Sequence, residues 1–266
     1  MNNLKPKSGY INLSQSLLNL LTICPPQFKR IYIDKLSEPS TLKYQQKAQW
    51  GKDFHLLMEQ YNLTLNIKNL PQDNLNLLSQ VEAVISQTSQ IWSSSQVLFR
   101  EAEYQVNKTI GNYLFTAIYD LLVFYPQKAK IIDWKTYALP QNKENIINNW
   151  QTKLYLYLLV ENFDYLPEQV VFEYWFIPSA NNAEKYSLQY DRSWHEKITQ
   201  ELNLLLQKLD SWLEEDASSL TSFPHHTNCS NCPYFECFKQ ESNHEFSADI
   251  ITSLDDIPTI TPNTKF

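Results

Sequence analysis

Asp133 and Lys135, in the stretch AKIIDWKTYA (129–138), are the residues whose types and spacing first raise the question of chemistry. Ile131 and Ile132 lead into the stretch as a strand, and on a strand residues two apart project from the same face. A carboxylate and an ammonium on one face of an apolar strand must pair or bind something. Asp120 is a second misplaced charge, set inside LFTAIYDLLVF (114–124). A turn at Pro126-Gln127-Lys128 would fold these two strands together and bring Asp120 near Asp133. Two carboxylates beside a lysine make a site for a hard divalent cation, with oxygen chemistry suited to Mg2+ or Mn2+. There the lysine can orient an attacking water and offset charge on a phosphodiester. The same three residues can also be read as a structural salt bridge between Lys135 and either aspartate.

Two further groups bear on that choice. His55 ends WGKDFH (50–55), four residues after Gly51 and on the same helix face, and imidazole is a competent ligand for Mn2+ as well as a common structural side chain. Gln151 and Tyr155 are i and i+4 on a later helix, so they stack on one face. Their amide and phenol could hold a nucleic-acid backbone or be ordinary helix surface. At the chain's two ends lie four cysteines, Cys24 and the C-x2-C-x4-C group Cys229, Cys232 and Cys237. Four thiolates are the number for Zn2+ or an iron–sulfur cluster, and a poor pattern for disulfides in a cytoplasmic protein. His225 and His226 stand beside the trio as spare donors.

The elements that must position these residues follow from periodicity. Ser14 reads as the N-cap of QSLLNLLTI, which Pro25-Pro26 stops. Helical patterns cover 43–62 and 75–92. From Gln96 the period falls to two, and Gly111-Asn112 turns one strand back on another, giving a hairpin and then three consecutive antiparallel strands. Residues 145–163 read as a helix, 168–178 as a strand and about 191–216 as a long amphipathic helix. The expectation is one domain over residues 1–240, with its cysteine cluster joining residue 24 to residues 229–237. A polar, weakly ordered tail would cover 241–266.

The chain has 266 residues, 43% hydrophobic and 14% aromatic, so it can bury a large core. Its three glycines leave no phosphate-binding loop or dinucleotide fingerprint. The net charge of -7 is uneven: residues 1–60 hold eight Lys/Arg against four Asp/Glu, which leaves room for a basic face on an acidic protein. Asn19 and Thr22 interrupt LLNLLTIC, and CPPQFKR follows it in place of a cleavage site. With no stretch approaching a membrane span, the expected location is the cytoplasm, away from any membrane.

Taken in order, Gly51–His55, Asp120, Asp133-Trp134-Lys135 and Gln151–Tyr155 resemble the motifs of the RecB-type branch of the PD-(D/E)XK nuclease superfamily. The resemblance implies an α/β fold with a restriction-endonuclease-like core, its mixed, twisted sheet flanked by helices. It implies metal-dependent hydrolysis of DNA, preferring single strands or ends, with His55, Asp120, Asp133 and the Trp134 carbonyl on Mg2+ or Mn2+. Lys135 would be catalytic, and Gln151 and Tyr155 would support DNA binding. Glu103, in competition with Glu101, stands where the family often has another acid, and Ala117 takes the place of the family's usual glycine.

The N-terminal cysteine segment also resembles that of nucleases in this branch, including CRISPR-associated ones and the AddB nuclease domain. In these, one cysteine before the core and three after it hold a [4Fe–4S] cluster. Here Cys24, Cys229, Cys232 and Cys237 would do so as a cysteine-clamped helical cap, with zinc as the alternative. Protein partners in repair or CRISPR adaptation follow from the same likeness. A catalytically silent DNA-binding or assembly module with the same fold is the competing expectation.

Overall fold

The computed structural model describes residues 10–36, 42–67, 75–178, 183–214 and 223–224. A long hairpin organises them. Strands β2 (Phe99–Ile110) and β3 (Tyr113–Tyr125) pair antiparallel, and Gly111 in their two-residue turn takes φ +57°, a left-handed conformation open to glycine without a Cβ penalty. Strand β4 (Lys128–Lys135) returns antiparallel along β3, so the three consecutive strands read from the sequence are present. Strand β5 (Val170–Phe176) joins β4 in parallel, and β6 (Glu184–Gln189) closes that side antiparallel to β5. Strand β1 (Ile11–Ser14), absent from the sequence reading, pairs parallel with the start of β3. The result is a mixed six-stranded sheet flanked by helices.

One edge of β3 is shared. Because β2 runs along the whole of the other edge, β1 and β4 must divide this one: β1 covers residues 113–116 and β4 covers 121–125. Residues 117–120 face neither strand, and Asp120 sits at the end of that gap.

Each face of the sheet carries its own core. On one, Leu13, Phe115, Tyr119 and Phe172 pack against α1 (Gln15–Ile23), α7 (Trp150–Asn162) and α8 (Arg192–Glu214). On the other, Leu121, Ile132 and Trp134 pack against α3 (Leu42–Asn62) and α4 (Leu75–Gln87). Sequence signals explain the helix limits. Ser14 accepts from the Leu17 N–H as the N-cap of α1, and Pro25 and Pro26 open the short helix α2 (Pro25–Phe28). In α8, Ile198, Leu202, Leu205 and Leu209 recur at helical spacing and are all buried.

Two expected helices are each divided. The 75–92 pattern breaks at Thr88 into α4 and α5 (Ser89–Ser93). The 145–163 pattern breaks at Asn149, whose extended backbone separates α6 (Glu144–Asn148) from α7. No described helix is long and apolar enough to cross a membrane. Cys229, Cys232, Cys237, His225, His226 and the tail 241–266 lie outside the described residues.

Candidate active site

The site forms where β3 and β4 part. Their pairing ends at Leu121↔Ile132, so the next residues, Asp120 and Asp133, stand opposite each other beyond the last rung. Freed from the ladder, the Trp134 N–H donates to Asp120 Oδ2 at 2.8 Å. A charge-assisted bond thus replaces a strand-to-strand one and fixes the Asp120 carboxylate at the opening. On the other side of β3, the constant register of β2 sets Glu103 opposite Asp120, with the ladder interrupted at that one pair.

Both strands reverse their faces at this point. Tyr119 packs in one core and Leu121 in the other, although residues two apart in a regular strand share a face. Tyr104 and Ala102 divide between the cores in the same way across Glu103, which takes φ +51°. That conformation is strained for a residue with a Cβ, and it lies at the edge of the charged cluster, beside His55.

Helix α3 brings His55. The helix can approach β4 because position 51 is glycine: a Cβ there would lie 3.3 Å from Thr136 Oγ1. His55 Nδ1 then lies 3.3 Å from Asp120 Oδ2 and 4.0 Å from Glu103 Oε1. Ligand atoms of His55, Glu103 and Asp120 all fall within 4.8 Å of one another, a set able to hold a metal ion. Asp133 stands outside that set. It is 1% exposed, its Oδ2 is 2.8 Å from Lys135 Nζ, and its Oδ1 accepts from Gln151 Nε2 at 2.6 Å. Lys135 Nζ in turn donates to Gln151 Oε1 at 2.8 Å.

Three carboxylates therefore face one lysine and one histidine, and protons are drawn in to balance them. Burial, the largest single influence, would lower the His55 imidazole, but the Asp120 charge, the hydrogen bond to Asp120 and the Asp133 charge together outweigh it and raise the group to about 9. Burial and the Asp120 charge push Glu103 up to about 7. Asp133 rises to about 6, chiefly through burial and against the pull of Lys135. Burial works against the ionised form of Asp120 as well, yet His55, Lys135 and the Trp134 N–H bring its carboxyl below the usual range. Lys135, despite its burial, is locked in the ammonium form by Asp133.

A divalent cation fits this excess of negative charge. Apart from its ion pair with Lys135, the buried Asp133 Oδ2 has no hydrogen-bond partner among the described residues, which leaves lone-pair capacity for a cation.

The sequence-derived residues divide as follows. His55, Asp120, Asp133, Lys135 and Gln151 meet at one place, and Trp134 contributes its backbone there while its indole packs in the second core. Tyr155, read as a DNA-facing residue, is instead 3% exposed. Its ring stacks on Phe172 at 6.1 Å and meets Tyr119 edge-on at 5.1 Å, while its carbonyl accepts from the Tyr119 hydroxyl at 3.0 Å. The i, i+4 relation placed it on one face with Gln151, but that face turns into the core within a turn. Between the two candidate acids, Glu103 joins the cluster, whereas Glu101 pairs with Leu122 further along β2. Cys24 is buried at the end of α1.

A family model for the PD-(D/E)XK nuclease superfamily matches residues 12–237. No curated protein matches the chain. Among solved structures, a Eubacterium rectale protein described as a candidate exonuclease superposes with a TM-score of 0.51 at 12% identity. That match covers 90% of this chain and 91% of the other, a likeness of fold. The protein SSO0001 gives a TM-score of 0.38 at 11% identity, over 77% of this chain and 79% of its own.

Proposed function

The chain belongs to the PD-(D/E)XK nuclease superfamily, and from that premise we propose that it is a metal-dependent deoxyribonuclease of the RecB-like branch, acting on single-stranded DNA or DNA ends. The observation that carries the reading is the gathering of Glu103, Asp120 and Asp133 against one lysine and one histidine where β3 and β4 part. His55, Asp120 and Asp133, with the Trp134 carbonyl and Glu103, would hold Mg2+ or Mn2+. Such an ion supplies Lewis-acid charge at the scissile phosphate and makes water acidic enough to attack. Lys135, kept as an ammonium, orients that water and offsets charge building on the phosphate. Gln151 holds Lys135 and Asp133 in register and keeps a second amide proton for a backbone phosphate.

The reading extends to Cys24, Cys229, Cys232 and Cys237 as ligands of a [4Fe–4S] cluster, with Zn2+ as the alternative. Its support is the packing of Phe223, which lies against Phe28 at 6.5 Å and Trp212 at 5.5 Å. A residue six before Cys229 thus touches one four after Cys24, and six residues span up to about 20 Å. Iron would show as a brown colour with broad visible absorbance in anaerobically purified protein. A colourless protein carrying zinc rejects it. A cytoplasmic setting with partners in DNA repair or CRISPR adaptation belongs to the same reading.

The direct test incubates the protein and a Lys135→Ala variant with labelled single- and double-stranded DNA plus Mg2+ or Mn2+. Wild-type cleavage that falls by roughly 10²–10³ in the variant supports the enzyme. Equal inactivity of the two, with DNA still bound, would establish a silent binding or assembly module instead.

A further inference from the structure

We propose that the N-terminal helix α1 is a positioning element of the active site, acting through Asn19 and Thr22 on the first turn of α7. The proposal rests on the nuclease reading for the role of Lys135, but its contacts stand independently of that reading.

Because Asn149 interrupts the helical path, α7 starts afresh one residue before Gln151 and its opening N–H groups need partners from outside. Asn149 uses its own side chain to accept from the Gln151 N–H at 2.8 Å. The Trp150 N–H, by contrast, is met by Asn19 Oδ1 at 2.9 Å, from 131 residues away. The same Asn19 amide donates to Asn149 Oδ1 at 2.9 Å, so one side chain grips both the cap and the first helical residue. Three residues further along α1, Thr22 Oγ1 accepts from the buried Trp150 indole N–H at 2.8 Å and donates to the Leu18 carbonyl at 2.8 Å.

The next residue after Trp150 is Gln151, whose two amide atoms bond Asp133 and Lys135. A small rotation of the first turn of α7 therefore loosens both of those bonds together. Packing of the buried face of α7 and the Thr152 bonds to the Ile146 carbonyl and the Tyr174 hydroxyl hold this turn from the sheet side. Asn19 and Thr22 hold it from the other side, through Trp150, and neither touches the reacting groups.

Three variants test this: Thr22→Val, which keeps the shape but removes the acceptor; Thr22→Ser, which restores it; and Asn19→Asp, which still accepts from Trp150 but cannot donate to Asn149. The first readout is kcat against KM on the labelled DNA. The second is the Lys135 Nζ signal in 15N-lysine-labelled, metal-free protein, assigned by its loss in Lys135→Ala. Thr22→Val and Asn19→Asp are expected to lower kcat roughly tenfold with KM unchanged, as small misplacements of catalytic groups do. Both should shift the Lys135 signal. Thr22→Ser should restore both readouts, and the losses should vanish in a Gln151→Ala background.

The proposal is overturned if the variants melt earlier yet keep wild-type kcat and an unmoved Lys135 signal, or if their effects add in full to that of Gln151→Ala. Should the wild type cleave no DNA, the nuclease reading falls, and the Lys135 signal alone still decides the coupling. If Thr22→Val does not fold, Asn19→Asp carries the same comparison.

Discussion

At the scale of single residues, protons and a metal ion compete for one set of atoms. His55 at about 9, Glu103 at about 7 and Asp133 at about 6 are all raised, so the folded, metal-free protein holds protons that the unfolded chain releases sooner. Raised groups stabilise the fold while protonated, and that contribution is lost as pH climbs through their folded values. Asp120 runs the other way, but its window lies at acid pH. The melting temperature without metal should therefore fall between pH 6 and 9, and the stabilisation added by Mg2+ should be larger at pH 8 than at pH 6. Thermal unfolding at both pH values, with and without Mg2+, checks this. An Mg2+ effect that shrinks with pH would contradict the ligand set. Asp120, Asp133 and Lys135 were legible because they stand in or beside apolar strand runs, where a charge must pair or bind something. Glu103 could not be separated from Glu101, because the reversal of faces at Glu103 is a backbone event that alternation does not encode.

Between residue and molecule stand the elements, and here Gly51 is informative. In an exposed helix interior, glycine to alanine gains about 1 kcal/mol of helix propensity. In α3 the new methyl would press on Thr136, which follows Lys135 directly. Gly51→Ala should leave thermal stability near the wild-type value, with propensity offsetting the crowding, yet weaken Mg2+ binding as His55 is levered away from Asp120. Titration calorimetry against unfolding data separates the two effects. Equal Mg2+ affinity in both proteins would show that the approach of α3 is not limiting. The hairpins were legible from Gly111 and Pro126, and the helices from their apolar stripes. Strand β1 was not, since four residues carry too little pattern and their partner lies about a hundred residues on. Nor was the break at Asn149, since the apolar periodicity runs on through 145–163 and masks an asparagine that caps α7 with its own side chain and is joined there by Asn19 of α1.

Across the whole molecule, Phe223 joins α2 to α8. Its ring is 1% exposed between Phe28 and Trp212. Phe223→Ala should cost about 3–5 kcal/mol, read from the denaturant midpoint at unchanged slope. A loss below about 1 kcal/mol would mean that this aromatic bridge adds little to stability. The layered arrangement of helices about a mixed sheet was implied by the family resemblance, while local pattern showed only the consecutive antiparallel strands; the parallel partner of β3 depended on a contact too distant for that pattern to reveal. That contact also bears on how the protein comes into being. β1 precedes its partner by about a hundred residues, so it has no edge to join until β3 follows, and α1 has no helix to cap until α7 is made. Assembly is thus governed by long loop closures, which slow folding. A nascent chain that ended before α7 would carry Glu103, Asp120 and Asp133 without Gln151 to hold Lys135, and the proposed site would be complete only once synthesis had passed that helix.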